Sequence, residues 1–226
     1  MSEIEALNIK KSFYIDGKEI EVLKGINLKI PKGKITLIWG PSGAGKTTLL
    51  HILGTLDTPT QGKVIWEGKD LSELKESEIL KLRREKIGFV FQFFNLLQDL
   101  TCYENVILPL LIKRLKIKEF QGKIERILRE LDIYKRKDHF PSQLSGGEQQ
   151  RVCIARSLVS DPEYIFCDEP TGSLDSINSK KIIEILLNLN KRYKKTIILV
   201  THQRELTEIA DNSYYLYDGI LRKEEK

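Results

Sequence analysis

The chain has 226 residues, of which 41% are hydrophobic and 31% charged, and a formal net charge of +5 at pH 7. This length suffices for one large domain or two small ones, and the apolar content excludes general disorder. This net charge is only mildly basic and does not indicate the strongly basic surface typical of a nucleic-acid-binding protein. No apolar run approaches the roughly 20 residues of a membrane-spanning helix. The first residues, MSEIEALNIKK, lack the apolar segment of a signal peptide.

The three cysteines lie far apart, at Cys102, Cys153 and Cys167, in neither a CxxC nor a Cys/His spacing. An odd, scattered set of this kind disfavours a disulfide framework and a zinc site. We therefore predict buried thiols in a reducing cytoplasm.

The strand and helix patterns alternate along the chain. Two strands, 3–10 and 20–30, are predicted to flank a turn at Asp16-Gly17. A short apolar strand at 35–39 ends in a glycine-rich turn that leads into a helix from Lys46 to Gly54. The remaining predicted strands are 63–66, 86–91, 164–168, 196–200 and 214–218, and the predicted helices include 117–133 and 178–193. This alternation predicts an α/β fold with a parallel sheet, into which the mostly helical stretch 93–159 is inserted as a subdomain.

The glycine-rich turn, GPSGAGKT, fits the pattern G-x-x-x-x-G-K-[ST] between a strand and a helix. Glycines let successive backbone N–H groups surround phosphates, and the helix N-terminus adds a favourable dipole. Lys46 would place its charge at the β- and γ-phosphates, and the Thr47 hydroxyl would bind Mg²⁺. The predicted ATP-binding residues here are Gly40, Pro41, Ser42, Gly43, Ala44, Gly45, Lys46, Thr47 and Thr48.

A second apolar strand, YIFCD, ends in two carboxylates, Asp168 and Glu169. Strands often end in solvated acids, so this signal depends on the glycine-rich turn. Because adjacent parallel strands end side by side, Asp168 is predicted to reach the metal shell. Glu169, one residue further on, is predicted to activate the attacking water.

The segment LSGGEQQR, Leu144 to Arg151, begins about 25 residues before the two carboxylates that end this strand. With it, essentially the whole chain resembles the ATP-binding-cassette ATPases, although Glu148 stands where that pattern most often has Gln. The resemblance implies one nucleotide-binding domain, 1–226, with a P-loop (RecA-like) core at 1–92 and 160–226. It also implies a mainly parallel sheet, an antiparallel β subdomain and the helical subdomain at 93–159.

The resemblance further implies a homodimer in the ATP-bound state, in which two chains pair head to tail. A second set of residues would then bind ATP in trans: Ser145, Gly146, Gly147, Glu148 and Asp175. Asp175 belongs to Ser173-Leu174-Asp175, where Asp175 or Ser176 could also cap a helix. Gln92 and His202 would join Glu169 as catalytic residues, and Mg²⁺ would be held by Thr47, Gln92 and Asp168.

The family stacks adenine on an early aromatic residue, a place that Phe13 fills, with Tyr14 adjacent and Val22 beside the base. A phenyl ring suffices for stacking, so Phe13 is the predicted adenine contact, with a core phenylalanine as the alternative. Trp39 and Trp66 lie in predicted strands, and core packing is expected for both.

Two stretches, 49–64 and 91–112, resemble the LolD-type ATPase subunits of lipoprotein-releasing systems; MacB-type and FtsE-type subunits share most of the pattern. This implies an ATPase that drives lipoprotein release, bound peripherally to the cytoplasmic side of the inner membrane through LolC/LolE-like permease subunits. The apolar residues at 93, 94, 96 and 97 are either subdomain core or a groove for that partner.

Two basic runs, Lys113 to Lys118 and Lys135 to Lys137, are interpreted as solvated helix faces, with attraction to acidic lipids as the alternative. His51 and His139 are expected to be structural or surface residues. The rival functions are a soluble cassette protein acting on DNA or ribosomes and a P-loop GTPase. The GTPase is disfavoured because Tyr193 replaces the Asp of an NKxD motif.

Overall fold

The computed structural model describes residues 2–224. The chain divides into two compact units, one formed by Met1–Arg83 with Lys194–Lys226 and the other by Arg84–Tyr193. No helix within residues 2–224 has the length and apolarity needed to cross a membrane.

The secondary structure of the described residues follows the predicted alternation. The strands are β1 (Ser2–Ile15), β2 (Lys18–Pro31), β3 (Ile35–Trp39), β4 (Gln61–Trp66), β5 (Lys69–Asp70), β6 (Ile87–Val90), β7 (Tyr164–Asp168), β8 (Thr196–Thr201), β9 (Asn212–Tyr217) and β10 (Ile220–Glu224). The helices are α1 (Lys46–Leu53), α2 (Glu76–Lys86), α3 (Cys102–Ile112), α4 (Ile117–Glu130), α5 (Gly146–Leu158) and α6 (Ser176–Tyr193).

The first unit contains an antiparallel sheet of order β2–β1–β4–β5, as the family resemblance implied. The β1–β2 hairpin turns at Asp16 and Gly17, which both have left-handed φ values, 49° and 76°. Trp66 is buried in this unit, where its indole nitrogen donates to the Leu53 carbonyl at 2.9 Å.

A second sheet in the first unit places the glycine-rich turn. Its strands run in the order β10–β9–β3–β8, with β3 parallel to both β8 and β9. Strands β3 and β8 are buried over almost their whole length, as expected for parallel strands covered on both faces. Helix α1 starts immediately after the turn and buries Leu49, Leu50, Ile52 and Leu53.

In the second unit, β6 and β7 pair in parallel and α3, α4, α5 and α6 supply the helices. Helix α4 buries the apolar positions Ile124, Ile127 and Leu128 that its spacing predicted. Helix α3 begins with a capping box, in which Thr101 accepts from the Glu104 N–H and the Glu104 side chain accepts from the Thr101 N–H.

The α/β class and the main elements are therefore as predicted, and the three cysteines are free and buried. Helix α2 and the short strands β5 and β10 were not predicted individually. Trp39 departs from the expected core packing because it is half-buried. Its ring packs against that of Tyr215, with the centroids 4.4 Å apart and the planes tilted by 41°, and its indole nitrogen donates to Glu224 at 2.8 Å. The division at residues 93 and 159 stays a prediction.

Candidate functional site

The glycine-rich loop of the first unit connects β3 to α1 and folds around its own lysine. Gly43 and Gly45 have left-handed φ values of 79° and 97°, which let the loop curl. The Lys46 ammonium donates to the Gly40 and Pro41 carbonyls at 2.9 and 3.0 Å, and the residue is only 7% exposed. The loop thus holds a buried positive charge at its centre, next to the N-terminus of α1.

Close backbone packing fixes the two ends of this loop. A Cβ on Gly40 would lie 2.0 Å from the Leu216 carbonyl oxygen of β9. A Cβ on Gly45 would lie 2.9 Å from Leu23 and 3.1 Å from Val22 in β2. Any side chain at either glycine would push the loop out of place. The structure also places Val22 beside the loop.

Parallel pairing brings His202 to the end of the sheet where the loop begins. Thr201 is opposite Trp39, and its carbonyl accepts from the Gly40 N–H at 3.2 Å. His202 follows directly and is exposed. It therefore follows the end of a strand, as the sequence predicted, and leaves β8 beside β3, the strand that leads into the loop.

Phe13 lies on the exposed part of β1, near the hairpin turn. Its ring is 39% exposed, with the Lys11 ammonium 5.1 Å from the ring centre, so it is not a core phenylalanine. Tyr14 is 74% exposed. The surface position suits stacking on a flat ligand, and which ring contacts adenine stays a prediction.

In the second unit, the acidic strand end and the glutamine form one cluster. Asp168 ends β7, and Glu169 follows with a left-handed φ of 45°. The Gly172 N–H donates to the Glu169 carbonyl at 3.0 Å, and the Ser173 hydroxyl donates to the Gln92 carbonyl at 3.2 Å. This turn therefore ties Gln92 to the segment that carries both predicted carboxylates.

Ser145 caps helix α5 through a reciprocal pair of contacts with Glu148. The Ser145 hydroxyl accepts from the Glu148 N–H at 3.3 Å. In return, Glu148 Oε2 accepts from the Ser145 N–H at 2.8 Å and from its hydroxyl at 2.9 Å. The helix N-terminus that carries the predicted trans ATP-binding residues 145–148 is thus closed by a capping box.

The two glycines after Ser145 pack against residues at the start of α6 and just before it. A Cβ on Gly146 would lie 3.3 Å from Leu174, and one on Gly147 would lie 2.5 Å from the Asn178 side chain. The predicted trans-acting residues 145–148 and Asp175 are therefore neighbours within the second unit.

Asp175, of the two predicted candidates, caps α6. Its Oδ1 accepts from the Ile177 and Asn178 N–H groups at 2.9 Å each, and its Oδ2 accepts from the Asn178 amide at 2.6 Å. The backbone and side-chain bonds from Asn178 hold the pKa of Asp175 below its usual value. The carboxylate is thus charged and fixed at neutral pH.

Three residues of helices α5 and α6 that the sequence patterns did not single out organise the second unit: Arg156, Gln150 and Asn178. The Gln150 amide joins the two site loops, because it donates to the Pro170 carbonyl at 2.8 Å and the Phe91 carbonyl at 3.4 Å. Arg156 donates to the carbonyls of Phe94 and Asn95, both of which have left-handed φ values. Their helical positions offered only a buried or solvated interpretation.

Arg136, in the basic run at 135–137, is exposed as expected for a solvated residue, but it also forms an ion pair that the run did not predict. Its guanidinium Nε lies 2.9 Å from Glu148 Oε1. Burial raises the pKa of Glu148, but the bonds from Ser145 and Arg136 outweigh it and hold the pKa below its usual value. Arg136 and Glu148 are 12 positions apart with a loop between them, so no local sequence pattern predicted this ion pair.

The apolar cluster after Gln92 divides between core and surface. Leu96 is 7% exposed, whereas Phe93 and Leu97 are 77% and 52% exposed. The loop is held by the fully buried Asn105, whose amide bonds the Leu97 N–H and the carbonyls of Leu97, Leu100 and Thr101. Phe93 and Leu97 are therefore displayed to solvent by a well-fixed loop.

The chemistry of these residues fits a nucleotide with its magnesium ion. The first turn of α1 contains no acidic residue, and a Cβ on Gly43 would meet nothing within 4 Å, so the loop has room for an anion. The exposed Thr47 hydroxyl and the Asp168 carboxylate are oxygen donors, which Mg²⁺ prefers.

Comparison with known proteins places this geometry among transport ATPases. The sequence profile of the ABC transporter family matches residues 23–172. The lipoprotein-releasing system ATP-binding protein LolD of Aquifex aeolicus is 47% identical over 97% of this chain and 96% of its own, and that of Syntrophus aciditrophicus is 46% identical over 96% and 97%. A dimeric ATP-binding cassette in a post-hydrolysis state with ADP and Pi superposes with a TM-score of 0.90 at 40% identity, covering 98% of both chains.

Proposed function

The chain belongs to the ABC transporter family, and from this premise we propose that it is the ATP-hydrolysing subunit of a transporter that releases lipoproteins from the cytoplasmic membrane. The proposal that lipoproteins are the substrate rests on one observation. The similarity to two LolD proteins extends over 96–97% of this chain and of those relatives. The ATPase function follows from the family, whose members use ATP with Mg²⁺.

In the proposed site, the glycine-rich loop binds the triphosphate. The backbone N–H groups of residues 40–48 and the N-terminus of α1 surround the phosphates. Lys46, buried and already directed into the loop, provides the positive charge at the β- and γ-phosphates. Phe13 stacks on adenine, with Val22 beside it.

Thr47, Gln92 and Asp168 are the residues that would hold Mg²⁺ in this proposal. The ion supplies charge neutralisation at the β- and γ-phosphate oxygens. The Ser173 hydroxyl holds the backbone of Gln92, so its side chain starts from a fixed point.

The reaction proposed is attack by water on the γ-phosphorus, with cleavage of its bond to the β–γ bridging oxygen, so that ADP leaves and inorganic phosphate forms. Glu169, set in a left-handed conformation immediately after β7, accepts the water proton. His202, at the end of β8, donates a hydrogen bond to the γ-phosphate, and Gln92 contacts the water. Catalysis is then mainly positioning and electrostatic stabilisation of the charge that develops on the phosphoryl group.

Two chains would share each nucleotide in a head-to-tail homodimer. The capped N-terminus of α5 in one chain, with Ser145, Gly146 and Gly147, then faces the γ-phosphate that Lys46 of the other chain binds. Glu148 and Asp175 lie beside this N-terminus in the same unit. The related cassette was solved as a dimer with ADP and Pi, which supports this arrangement.

The exposed Phe93 and Leu97 are proposed to bind LolC/LolE-like permease subunits, which would keep the chain on the cytoplasmic face of the inner membrane. ATP-driven closure of the dimer would move residues 93–159, the proposed helical subdomain, and with them the bound membrane subunits. Hydrolysis would reopen the pair.

The proposal is tested by purification and reconstitution. The tagged chain should copurify from detergent-solubilised membranes with integral membrane proteins. In proteoliposomes, this complex should release a fluorescent lipoprotein only with ATP, and Glu169→Gln should abolish release. Phe93→Ser with Leu97→Ser should prevent assembly, whereas Ile220→Ser, an exposed apolar residue of the β10 edge, should not.

Different outcomes separate the alternatives. Assembly with membrane proteins but no release of any lipoprotein would refute the substrate class and favour a MacB-type or FtsE-type partner. Copurification of nucleic acid without membrane proteins would refute transport and favour a soluble cassette ATPase. Unchanged assembly of the Phe93→Ser, Leu97→Ser variant would remove these residues from the partner surface.

A further inference from the structure

A chain of three side chains leads from a loop to the capped end of α5. Arg136 Nε lies 2.9 Å from Glu148 Oε1, and Glu148 Oε2 accepts from the N–H and the hydroxyl of Ser145. The guanidinium of Arg136 also lies 3.2 Å from His139 Nε2. The Glu148 side chain is only 17% exposed and the Arg136 side chain is 47% exposed, so this ion pair is partly shielded from water.

The pair matters because of where the carboxylate is. In the proposed shared site, Ser145 faces the γ-phosphate bound by the other chain. A carboxylate in direct contact with Ser145 would then repel the highly charged triphosphate, and it also competes for the Ser145 hydroxyl proton. A neutral Gln at position 148 would not repel the phosphates, so Glu148 requires a compensating charge that Gln would not.

We propose that Arg136 is a positioning residue for ATP hydrolysis, which cancels the charge of Glu148 and holds its carboxylate on the Ser145 cap. This inference rests on the proposed shared site. Arg136 need not touch the nucleotide. It acts through Glu148. Its charge makes a glutamate at position 148 compatible with phosphate binding at Ser145, Gly146 and Gly147.

The test is a double-mutant cycle of Arg136 and Glu148 in the full chain, in which KM and kcat are measured by steady-state ATP hydrolysis. Arg136→Gln should raise KM for ATP by about fivefold or more, the effect of an uncompensated, partly buried charge, with a smaller change in kcat. In the Glu148→Gln background, the same change should alter KM by less than about twofold, because no charge remains to cancel. Arg136→Lys should keep most of the wild-type KM.

The controls exclude a general loss of positive charge or of folding. Lys135→Gln removes an equal charge from the adjacent exposed residue and should leave KM unchanged. Urea unfolding of each variant, followed by circular dichroism, measures stability separately. An Arg136→Gln effect of equal size in both backgrounds would show a merely structural role and overturn the proposal.

The shared site itself has a separate readout. If Glu169→Gln chains fail to pair at saturating ATP, the shared site is refuted, and this inference with it. If they pair normally and the mutant cycle shows no coupling, only the role of Arg136 is refuted.

Discussion

Asn105→Ala tests whether one buried amide fixes the loop that displays Phe93 and Leu97. The Asn105 side chain accepts from the Leu97 N–H at 2.9 Å, and its two N–H donors serve three carbonyls at 3.0 Å. The two N–H donors can make only two full hydrogen bonds at a time, and the side-chain oxygen accepts one more. The substitution therefore removes three hydrogen bonds in all. At ~1 kcal/mol each, the expected loss in the free energy of unfolding is about 3 kcal/mol.

Urea unfolding followed by circular dichroism measures this loss in the isolated chain. Gln98→Ala in the same loop is the matched control, because Gln98 makes one 3.3 Å bond and should cost less than about 0.5 kcal/mol. The variant should also assemble less well with the membrane subunits, since the loop backbone is released. A loss below about 1 kcal/mol with normal assembly would refute the argument, because it would show that the loop is held by other contacts.

Three further predictions concern single side chains. Lys46→Ala should nearly abolish phosphate release and weaken nucleotide binding, because it removes the buried charge inside the loop; near-normal turnover would contradict the assignment of the loop. Phe13→Ala should weaken ATP and GTP equally, by about 1–3 kcal/mol in titration calorimetry, and a larger effect of Tyr14→Ala would move the stacking residue by one position. Burial raises the pKa of Cys102 to about 12, so its reactive thiolate is scarce at pH 8. Alkylation of Cys102 at pH 8 should therefore be at least about a hundredfold slower in the folded chain than in urea. Its rate should still rise about tenfold per pH unit between pH 7 and 9, because the pKa lies above this range, and rapid labelling of Cys102 would contradict its burial.

Local patterns predicted those parts of the site that depend on adjacent residues. The loop at 40–47, the strand end at Asp168 and the cap at Ser145 are each defined within eight residues, and the structure forms each of them. Parallel pairing of β3 with β8 was not needed to find His202, but it explains why His202 leaves its strand next to the loop.

Contacts between distant segments could not be predicted in the same way. Arg136 is one of three consecutive basic residues, and only the folded loop shows that it, rather than Lys135, meets Glu148. The same holds for Gln150, whose bonds to residues 59 and 20 positions away depend on the packing of α5. For Phe13 the sequence left core and surface open, and its exposure excludes the core.

The dimer proposal has the sharpest test, since it requires each nucleotide to contact two chains. Glu169→Gln keeps the shape of the side chain but removes the basic oxygen, so water activation should fail while ATP binding persists. Hydrolysis would no longer reopen the pair. ATP with Mg²⁺ should then hold two chains together, and size exclusion should show twice 26.1 kDa, about 52 kDa.

Ser145→Arg added to Glu169→Gln should abolish this dimer, because a long side chain fills the place of the partner's γ-phosphate. Charge repulsion cannot explain that loss, since Arg attracts phosphate. The decisive arm mixes Ser145→Arg chains with Lys46→Ala chains, both carrying Glu169→Gln. In the mixed dimer one site loses both groups and the other keeps both, so pairing should return although neither variant pairs alone. If mixing restores nothing, or if Glu169→Gln stays at 26.1 kDa at saturating ATP, Ser145 does not bind the partner's nucleotide.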